Sequence, residues 1–545
     1  MNDRGALRWG DGRHDYPLES LRAIEAYFGN ELGSPTPSPG EPATPGESRL
    51  SERERTALSA AAGGSFSLDE LERIQCSFGQ SYDDLLAARD GGGFATTDAV
   101  IAPGSTEELL QILSEAARMD IAVVPRGGGT SQWGEVAPLA GAHHAVVTLS
   151  LHRLDRFLGI DPQADTAQFE AGIFGPALEE QLNSRGLTLG HFPLSYEFST
   201  LGGWIATASI GQSAGHYGTV IDRVRGARWA TPTGALSWQA GGPAPRGIDP
   251  ALLLRSRGTL GVISSATVRI ETAPDSSPVR AVLVPSWEAA LKVLRALVAD
   301  VPRPVLARMS DPLESRFLLT LAQGRPPEET GGFEGFAVRR RIRDLRSVVF
   351  GVVGFDGVTS RKAGVGMYVL DELIRQAGGT VLPGGTWPGL GDSWRRTRFR
   401  SPALRGAAVL DGWVMEPLDV WTSWTEAISI PRRVRDAVDA SLAPFDRRAR
   451  VHVQARNPVG ESVNLLFTIF YPEPFGAGHE AWRAVRSAVR DATLFRASGA
   501  GRSRGDYPLD GNGAPLTDEA SRWRAAQRLV DPSGILNPGK YPSSD

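Results

Sequence analysis

The fold is decided by the stretch "VVPRGGGTSQWG", Val123–Gly134, in which three consecutive glycines follow a short apolar run. Glycine has no Cβ and adopts positive φ without strain, so such a loop can turn its backbone N–H groups toward an anion. The Arg126 guanidinium and the hydroxyl groups of Thr130 and Ser131 are further donors in the same loop. The loop therefore fits a phosphate or pyrophosphate group, and an ordinary tight turn is the alternative interpretation.

The residues before this loop have the pattern of a strand, a helix and a second strand. The runs "AVIAP" (99–103) and "IAVVP" (121–125) are short and apolar, as is typical of buried strands. Between them, "STEELLQILSEAARMD" (105–120) begins with a Ser cap, has Glu at the third helical position and repeats apolar residues at helical spacing. The loop has neither the G-x-G-x-x-G spacing nor the G-K-[ST] ending of the common nucleotide-binding loops, which disfavours both of those folds.

Length and composition restrict the class of protein. A chain of 545 residues predicts two or three domains, and 41% hydrophobic with 22% charged residues is typical of globular proteins. The net charge of -4 gives no basic field, so we expect no nucleic-acid partner. The single cysteine, Cys76, excludes an internal disulfide framework, and we find neither a signal peptide nor an apolar run long enough for a transmembrane segment. We therefore expect a cytoplasmic protein.

Two later stretches resemble the glycine loop in composition. They are "PLSYEFSTLGGWIATA" (193–208) and "RGTLGVI" (257–263), which we call the second and third loops; the glycine loop is residues 125–131. Three loops rich in small and hydroxyl residues suit a long, phosphate-bearing ligand that is held along its length. Close packing of strands would also explain each loop singly.

In this order and spacing, "PRGGGTS", the second loop and the third loop resemble the FAD-binding domain of the vanillyl-alcohol oxidase type. Within that group the chain is most similar to the alkyldihydroxyacetonephosphate (alkylglycerone-phosphate) synthases. The similarity extends to four other stretches, namely "RWGDGRHDYPL" (8–18), "PVLARMSDPLESR" (304–316), "RRTRFRSPALRG" (395–406) and "VDPSGILNPGKY" (530–541).

The resemblance implies an α+β fold, with an FAD-binding domain of two subdomains and an α+β cap domain over the flavin. The expected domains are an N-terminal segment with a Pro-rich loop at 33–54 (1–60), the FAD-binding domain (61–273), the cap (274–505) and a C-terminal return to the FAD-binding domain (506–545). We expect noncovalent FAD, because Cys76 precedes the glycine loop and no histidine stands within it.

Carried over by position, the resemblance implies a set of FAD contacts in the three loops. These are Pro125, Arg126, Gly127, Gly128, Gly129, Thr130 and Ser131; Pro193, Glu197, Phe198, Ser199, Thr200, Gly203, Trp204, Ala206 and Thr207; and Arg257, Gly258, Thr259, Leu260, Gly261, Val262 and Ile263.

The catalytic positions are where the chain departs from the synthases. Those enzymes use FAD without net redox change: flavin N5 attacks the substrate, the acyl group leaves, and a fatty alcohol replaces it. Their tyrosine position falls on Leu466 in this chain, and their triple histidine falls on Arg496, Ala497 and Ser498. Leucine and alanine cannot transfer a proton, and arginine is a poor acid at neutral pH.

Four residues remain as catalytic candidates. Arg308 and Arg405 match the family's substrate-side arginines and suit a phosphate or carboxylate, although a solvated surface charge is the alternative. His452 is a candidate base or a structural histidine, and Arg496 could hold an anion. Tyr471 lies at an odd offset from Leu466 on a strand pattern, so we expect it on the opposite face.

We therefore predict an FAD-dependent oxidoreductase that acts through flavin N5 on a small anionic or polar substrate. The alternatives are a synthase-like, non-redox exchange through an N5 adduct and an inactive flavin-binding scaffold. No metal is expected, because no histidine pair combines with carboxylates at ligand spacing. The oligomeric state is open, a homodimer included.

Overall fold

The computed structural model describes residues 27–28, 45–89, 95–299, 303–323, 346–357, 360–382, 395, 398–410, 412–474, 476, 479–494 and 517–540. Its helices are α1 (Glu52–Ala61), α2 (Glu70–Ser77), α3 (Tyr82–Arg89), α4 (Thr106–Arg118), α5 (Gly175–Asn183), α6 (Leu201–Ala206), α7 (Ala214–Tyr217), α8 (Val220–Arg223), α9 (Pro250–Leu254), α10 (Trp287–Ala299), α11 (Pro312–Gln323), α12 (Ser360–Gln376), α13 (Ser401–Leu410), α14 (Glu426–Leu442), α15 (Glu480–Leu494) and α16 (Thr517–Val530). No helix in these ranges is long and apolar enough to cross a membrane.

The strands form three main sheets and one short pair. They are β1 (Phe66–Ser67), β2 (Ala99–Ile101), β3 (Ile121–Arg126), β4 (Ala145–Ser150), β5 (Phe157–Asp161), β6 (Thr166–Glu170), β7 (Leu187–Thr188), β8 (Val224–Thr231), β9 (Gly234–Gln239), β10 (Val262–Arg269), β11 (Glu271–Thr272), β12 (Val279–Val284), β13 (Leu306–Ser310), β14 (Val349–Gly354), β15 (Thr380–Val381), β16 (Trp413–Ser423), β17 (Arg450–Val459) and β18 (Ser462–Pro472). Short 3-10 turns occupy Leu151–Arg153, Tyr196–Phe198, Pro245–Gly247 and Ala443–Phe445.

The first sheet has the order β1-β2-β4-β3, with β2, β3 and β4 parallel. The predicted strand, helix and strand before the glycine loop are confirmed as β2, α4 and β3. The Ser105 hydroxyl caps α4 by accepting from the Glu108 amide at 3.1 Å, and the Glu108 carboxylate accepts from the Gly104 amide at 2.8 Å. Because Leu109 and Ile112 are fully buried against this sheet, the glycine loop starts from a fixed strand end.

The second sheet is antiparallel, in the order β5-β6-β10-β8-β9. The third loop leads into β10, and the second loop contains α6, whose N-cap is Thr200. Ala230 of β8 and Val262 of β10 are buried in the core of the first sheet, so the two sheets share packing there. This packing brings the starts of the second and third loops to the end of β3.

The C-terminal segment returns to both sheets. The Trp523 indole of α16 packs in the core of the second sheet and donates to the Thr259 hydroxyl at 3.1 Å. Farther on, Leu536 bridges Val123 of β3, with hydrogen bonds from the Val123 amide to the Ile535 carbonyl and from the Asn537 amide to the Val123 carbonyl, both 2.8 Å. The C-terminal segment therefore stabilises β3, the strand that leads into the glycine loop.

The residues that we predicted as the cap (274–505) contain a seven-stranded antiparallel sheet, which we call the cap sheet, in the order β15-β12-β14-β13-β17-β18-β16. Alternation along β18 divides it into two faces. Residues 463, 465, 467, 469 and 471 are buried under helices α10, α12, α14 and α15, whereas 464, 466, 468 and 470 point to the other side. The expected position of Tyr471 on the face opposite Leu466 is thus confirmed.

The structure differs from the sequence-based expectation at the end of the Pro-rich stretch. Helix α1 begins at Glu52, inside the segment 33–54 that we predicted as a loop. The reason is a capping box, in which the Ser51 hydroxyl accepts from the Glu54 amide and the Glu54 carboxylate accepts from the Ser51 amide. Leu50 and Leu58 are buried in the core of the first sheet, so this part of the predicted N-terminal segment packs with residues assigned to the FAD-binding domain.

Candidate active site

A first cavity of about 1360 Å³ lies where the three loops meet. Most of the residues that the resemblance assigned to FAD line it. These are Pro125, Gly127, Gly128, Gly129, Thr130 and Ser131 from the glycine loop; Ser199, Thr200, Gly203, Trp204, Ala206 and Thr207 from the second; and Arg257, Gly258, Gly261, Val262 and Ile263 from the third. An extended ligand in this cavity would contact all three loops.

The glycines serve a purpose that sequence reasoning missed. A Cβ on Gly127 would overlap the Thr200 hydroxyl, and a Cβ on Gly128 would overlap the Phe198 carbonyl oxygen. The absent side chains therefore let the glycine loop and the second loop pack backbone to backbone. Gly129 has φ +68°, a conformation that L side chains rarely adopt. The long cavity, bounded by this bare backbone and by hydroxyl groups, fits the FAD that the resemblance implies.

Six of the predicted contacts are not among the residues that line the first cavity, namely Arg126, Pro193, Glu197, Phe198, Thr259 and Leu260. The Arg126 guanidinium folds beneath Gly129 and donates to the Gln75 carbonyl at 3.1 Å. The Phe198 carbonyl packs on Gly128, and the Thr259 hydroxyl accepts from Trp523. Arg126, Phe198 and Thr259 therefore contact neighbouring protein groups and do not line the first cavity.

Glu135 is a wall residue that the sequence analysis did not select. It is 6% exposed, and neither of its carboxylate oxygens has a hydrogen-bond partner. The Arg257 guanidinium lies 3.5 Å from this carboxylate, and Asn537 donates to the backbone carbonyls of both residues at 3.0 and 2.8 Å. Since a buried carboxylate without hydrogen bonds is costly, Glu135 can accept one from a hydroxyl or N–H group of a bound cofactor.

A second cavity of about 960 Å³ adjoins the first and lies on the open face of the cap sheet. The two cavities share six wall residues: Gln132, Leu194, Pro402, Pro417, Arg456 and Leu466. Strand register explains this grouping, since Leu466 of β18 lies opposite Asp419 of β16 and Gln454 of β17. Leu466, at the family's tyrosine position, therefore stands at the boundary between the cavities.

Arg308, on β13, is partly buried in the wall of the second cavity. Burial lowers the pKa of its guanidinium to about 10, and attraction to Glu314 opposes that shift. Burial likewise raises the pKa of the Glu314 carboxyl above its usual range. Gln454 donates to Glu314 at 3.0 Å, while the second Glu314 oxygen, Oε2, is buried without a hydrogen bond. Arg308 therefore remains a cation at neutral pH beside a carboxyl group whose pKa is raised by burial.

Two other arginines reach this wall. Arg405 is 3% exposed, and it donates to the Met415 carbonyl at 2.9 Å, to Glu416 at 3.0 Å and to the Gln80 carbonyl. Arg456, which we did not predict, donates to Asn464 at 2.8 Å and pairs with Asp419. Arg405 thus donates hydrogen bonds mainly to other protein groups. Its motif position did not predict these bonds.

His452 also lines the second cavity, and it is enclosed by aromatic rings. The rings of Phe317 and Phe470 lie at centroid distances of 5.0 and 4.9 Å, and Phe28 from the N-terminal segment stacks at 5.9 Å. Burial and the nearby cations lower the pKa of His452 to about 3. It is therefore neutral at physiological pH and a weak base, so the geometry favours a structural or hydrogen-bonding histidine.

The remaining expectations concern metal binding and the altered histidine motif. No cluster of three or more His, Cys, Asp or Glu side chains suited to a metal occurs in the described ranges. Cys76 is buried, which raises the pKa of its thiol. Arg496 lies outside the described residues.

We expect Gly128→Val to abolish FAD binding, because the new side chain would separate the glycine loop from the second loop. FAD content after purification and FAD titration of the apoprotein would measure this. Gly364→Ala is the matched control, since no atom lies within 4 Å of the added Cβ. Stoichiometric flavin in the Gly128 variant would contradict the loop assignment.

Acid should destabilise the protein partly through His452. Its pKa is about 3 in the folded chain and about 6.5 when unfolded. Between those values the unfolded state binds the extra proton, so the free energy of unfolding falls as pH drops, by up to about 1.4 kcal/mol per unit. His452→Gln should flatten the pH profile of the urea-derived free energy of unfolding between pH 4.5 and 7. If the free energy of unfolding depends on pH in the same way in wild type and His452→Gln, the pKa of His452 is not lowered by folding.

Comparison with known proteins agrees with this geometry. Residues 97–238 match the family model described as an FAD binding domain. Alkyldihydroxyacetonephosphate synthase from Dictyostelium discoideum is 32% identical over 341 residues, which are 62% of this chain and 55% of that protein. Glycolate oxidase subunit GlcD from Bacillus subtilis is 29% identical over 237 residues, which are 42% of this chain and 49% of that protein. The chain thus spans about half the length of these two relatives.

Solved structures extend the similarity of fold beyond the FAD binding domain. A structure of alkyldihydroxyacetonephosphate synthase has a TM-score of 0.78 at 23% identity, covering 95% of this chain and 92% of that chain. The 4-ethylphenol oxidase from Gulosibacter chungangensis has a TM-score of 0.65 at 15% identity, covering 90% and 97%. The chain is therefore a flavoprotein with FAD as its cofactor, homologous to the alkyldihydroxyacetonephosphate synthases and folded like the vanillyl-alcohol oxidase-type enzymes.

Proposed function

We propose that the protein is an FAD-dependent oxidoreductase whose substrate is a small organic anion bound in the second cavity. The observation that carries this proposal is the set of guanidinium groups in the cavity wall. Its described lining contains three arginines, Arg308, Arg405 and Arg456, and a single carboxylate, Glu314. A guanidinium group that lines a cavity can bind a phosphate or carboxylate through charge-assisted hydrogen bonds.

Arg308 is the best placed of these arginines to bind the anion. Arg405 and Arg456 are paired with the buried carboxylates Glu416 and Asp419, whose charges offset theirs. Arg308 is partly exposed in the wall of the second cavity, whereas Arg405 is only 3% exposed. The Arg308 guanidinium can therefore form charge-assisted hydrogen bonds with an anion in this cavity.

The boundary between the cavities favours redox chemistry over exchange. Leu466 stands there in place of a tyrosine and can neither donate nor accept a proton. Bound FAD supplies a hydride acceptor at N5, a reaction that depends on substrate orientation and does not need that tyrosine. Glu314, whose carboxyl group lines the second cavity, is the candidate to accept a proton from a substrate hydroxyl group.

Flavin bleaching tests the redox proposal. We expect one member of a panel of small hydroxy acids and alcohol-bearing phosphate monoesters to decolourise the yellow holoprotein under anaerobic conditions. The colour should return with oxygen or an artificial acceptor, and dithionite serves as the control for a reducible flavin. If product forms from any of these compounds without release of reducing equivalents, the chemistry is exchange, as in the synthases.

Arg308→Gln should weaken binding of that anion by about 10- to 100-fold, the range expected when a charged hydrogen bond is lost. The perturbation of flavin absorbance on titration with the anion under non-turnover conditions would measure its dissociation constant. Arg308→Lys should recover part of the affinity because it keeps the charge, and Arg295→Gln, at an exposed surface pair, should have no effect. Unchanged affinity in Arg308→Gln would place the anion elsewhere.

A further inference from the structure

A short series of hydrogen bonds joins the second cavity to the glycine loop. Arg405, in the wall of the second cavity, donates to the Gln80 carbonyl. The Gln80 amide in turn donates to the Ser131 carbonyl at 2.6 Å, and Ser131 lines the first cavity. A single peptide segment therefore connects a cap side chain to the loop assigned to FAD.

A second connection starts from the same arginine. The Arg405 guanidinium contacts one oxygen of Glu416 at 3.0 Å, and the other oxygen lies 4.0 Å from Arg486 Nε on α15. The Arg486 guanidinium is held between two indoles, 4.4 Å from the ring centre of Trp133 and 4.7 Å from that of Trp482. Since Trp133 also lines the first cavity, this connection ends two residues beyond the glycine loop.

Glu416 contacts both arginines of these two connections, Arg405 and Arg486. Its side chain is 4% exposed and faces two guanidinium groups, and the nearer of them, Arg405, is itself 3% exposed. A buried carboxylate in this position fixes the orientation of both cations, and without its charge the two arginines would repel each other in a poorly solvated space.

We propose that Glu416 is a positioning residue that holds the cap against the glycine loop through Arg405 and Arg486, and thereby sets the affinity for FAD. This inference rests on FAD binding in the first cavity and is independent of whether the reaction is redox or exchange. In this arrangement Arg405 acts through Gln80 on the cofactor loop, in addition to lining the second cavity.

FAD titration of the apoprotein tests this role without a known substrate. Glu416→Gln should raise the dissociation constant of FAD about ten-fold, within the range of coupling energies between sites in proteins. Glu473→Gln is the matched control, because Glu473 is also a buried cap carboxylate, 1% exposed, but pairs with Arg447 at 2.6 Å. Both variants should lower the melting temperature, and only Glu416→Gln should weaken FAD binding.

Arg486→Met provides a second test. The Arg486 side chain is 28% exposed, so its replacement should disturb the fold less than a change at Glu416, which is 4% exposed. Arg486→Met should also weaken FAD binding. If both residues act through one network, the double variant should lose less FAD-binding free energy than the sum of the losses in the two single variants. FAD affinity within about two-fold of wild type in both variants, or equal weakening by Glu473→Gln, would refute the positioning role. A wild-type apoprotein that fails to bind FAD would refute the cofactor site itself.

Discussion

The backbone contact between the glycine loop and the second loop is the constraint on which the site depends. Gly127 and Gly128 leave no room for a side chain against Thr200 and the Phe198 carbonyl, so the two loops hold each other at a fixed separation. The C-terminal segment adds to this by pairing with Val123 of the strand that leads into the glycine loop. Elements far apart in sequence therefore converge on one cavity wall, and its shape depends on the integrity of each.

The cap contributes to both cavities because side chains alternate between the two faces of its antiparallel sheet. One face is buried under helices, among them α10, α12, α14 and α15, and the other carries Arg308, Gln454, Leu466 and Thr468 toward the two cavities. Because the helix-covered face already packs each strand into the hydrophobic core, residues on the open face can differ from those of related enzymes without loss of the fold. The chain can therefore have the fold of the solved synthase structure while leucine stands at the position that the sequence resemblance assigned to a tyrosine.

Much of the FAD-binding region could be predicted, because its loops are contiguous in sequence and their glycines reflect local backbone geometry. The face of Tyr471 followed from strand periodicity alone. Glu135, Glu314 and Arg456 could not be found this way, since their importance arises from burial and from contacts between segments that are far apart in sequence. Arg405 was selected by its motif position, but its hydrogen bonds to Gln80 and Glu416 depend on packing that no single stretch encodes.

The aromatic enclosure of His452 has a practical consequence for handling the protein. Phe28 is 1% exposed and packs on Phe317, Trp413 and Phe470, of which Phe317 and Phe470 line the second cavity. Shortening the chain past this residue to aid expression or crystallisation would remove the backing of the cavity's apolar end. Ligand screens performed on such a truncated protein would then report on a differently shaped pocket.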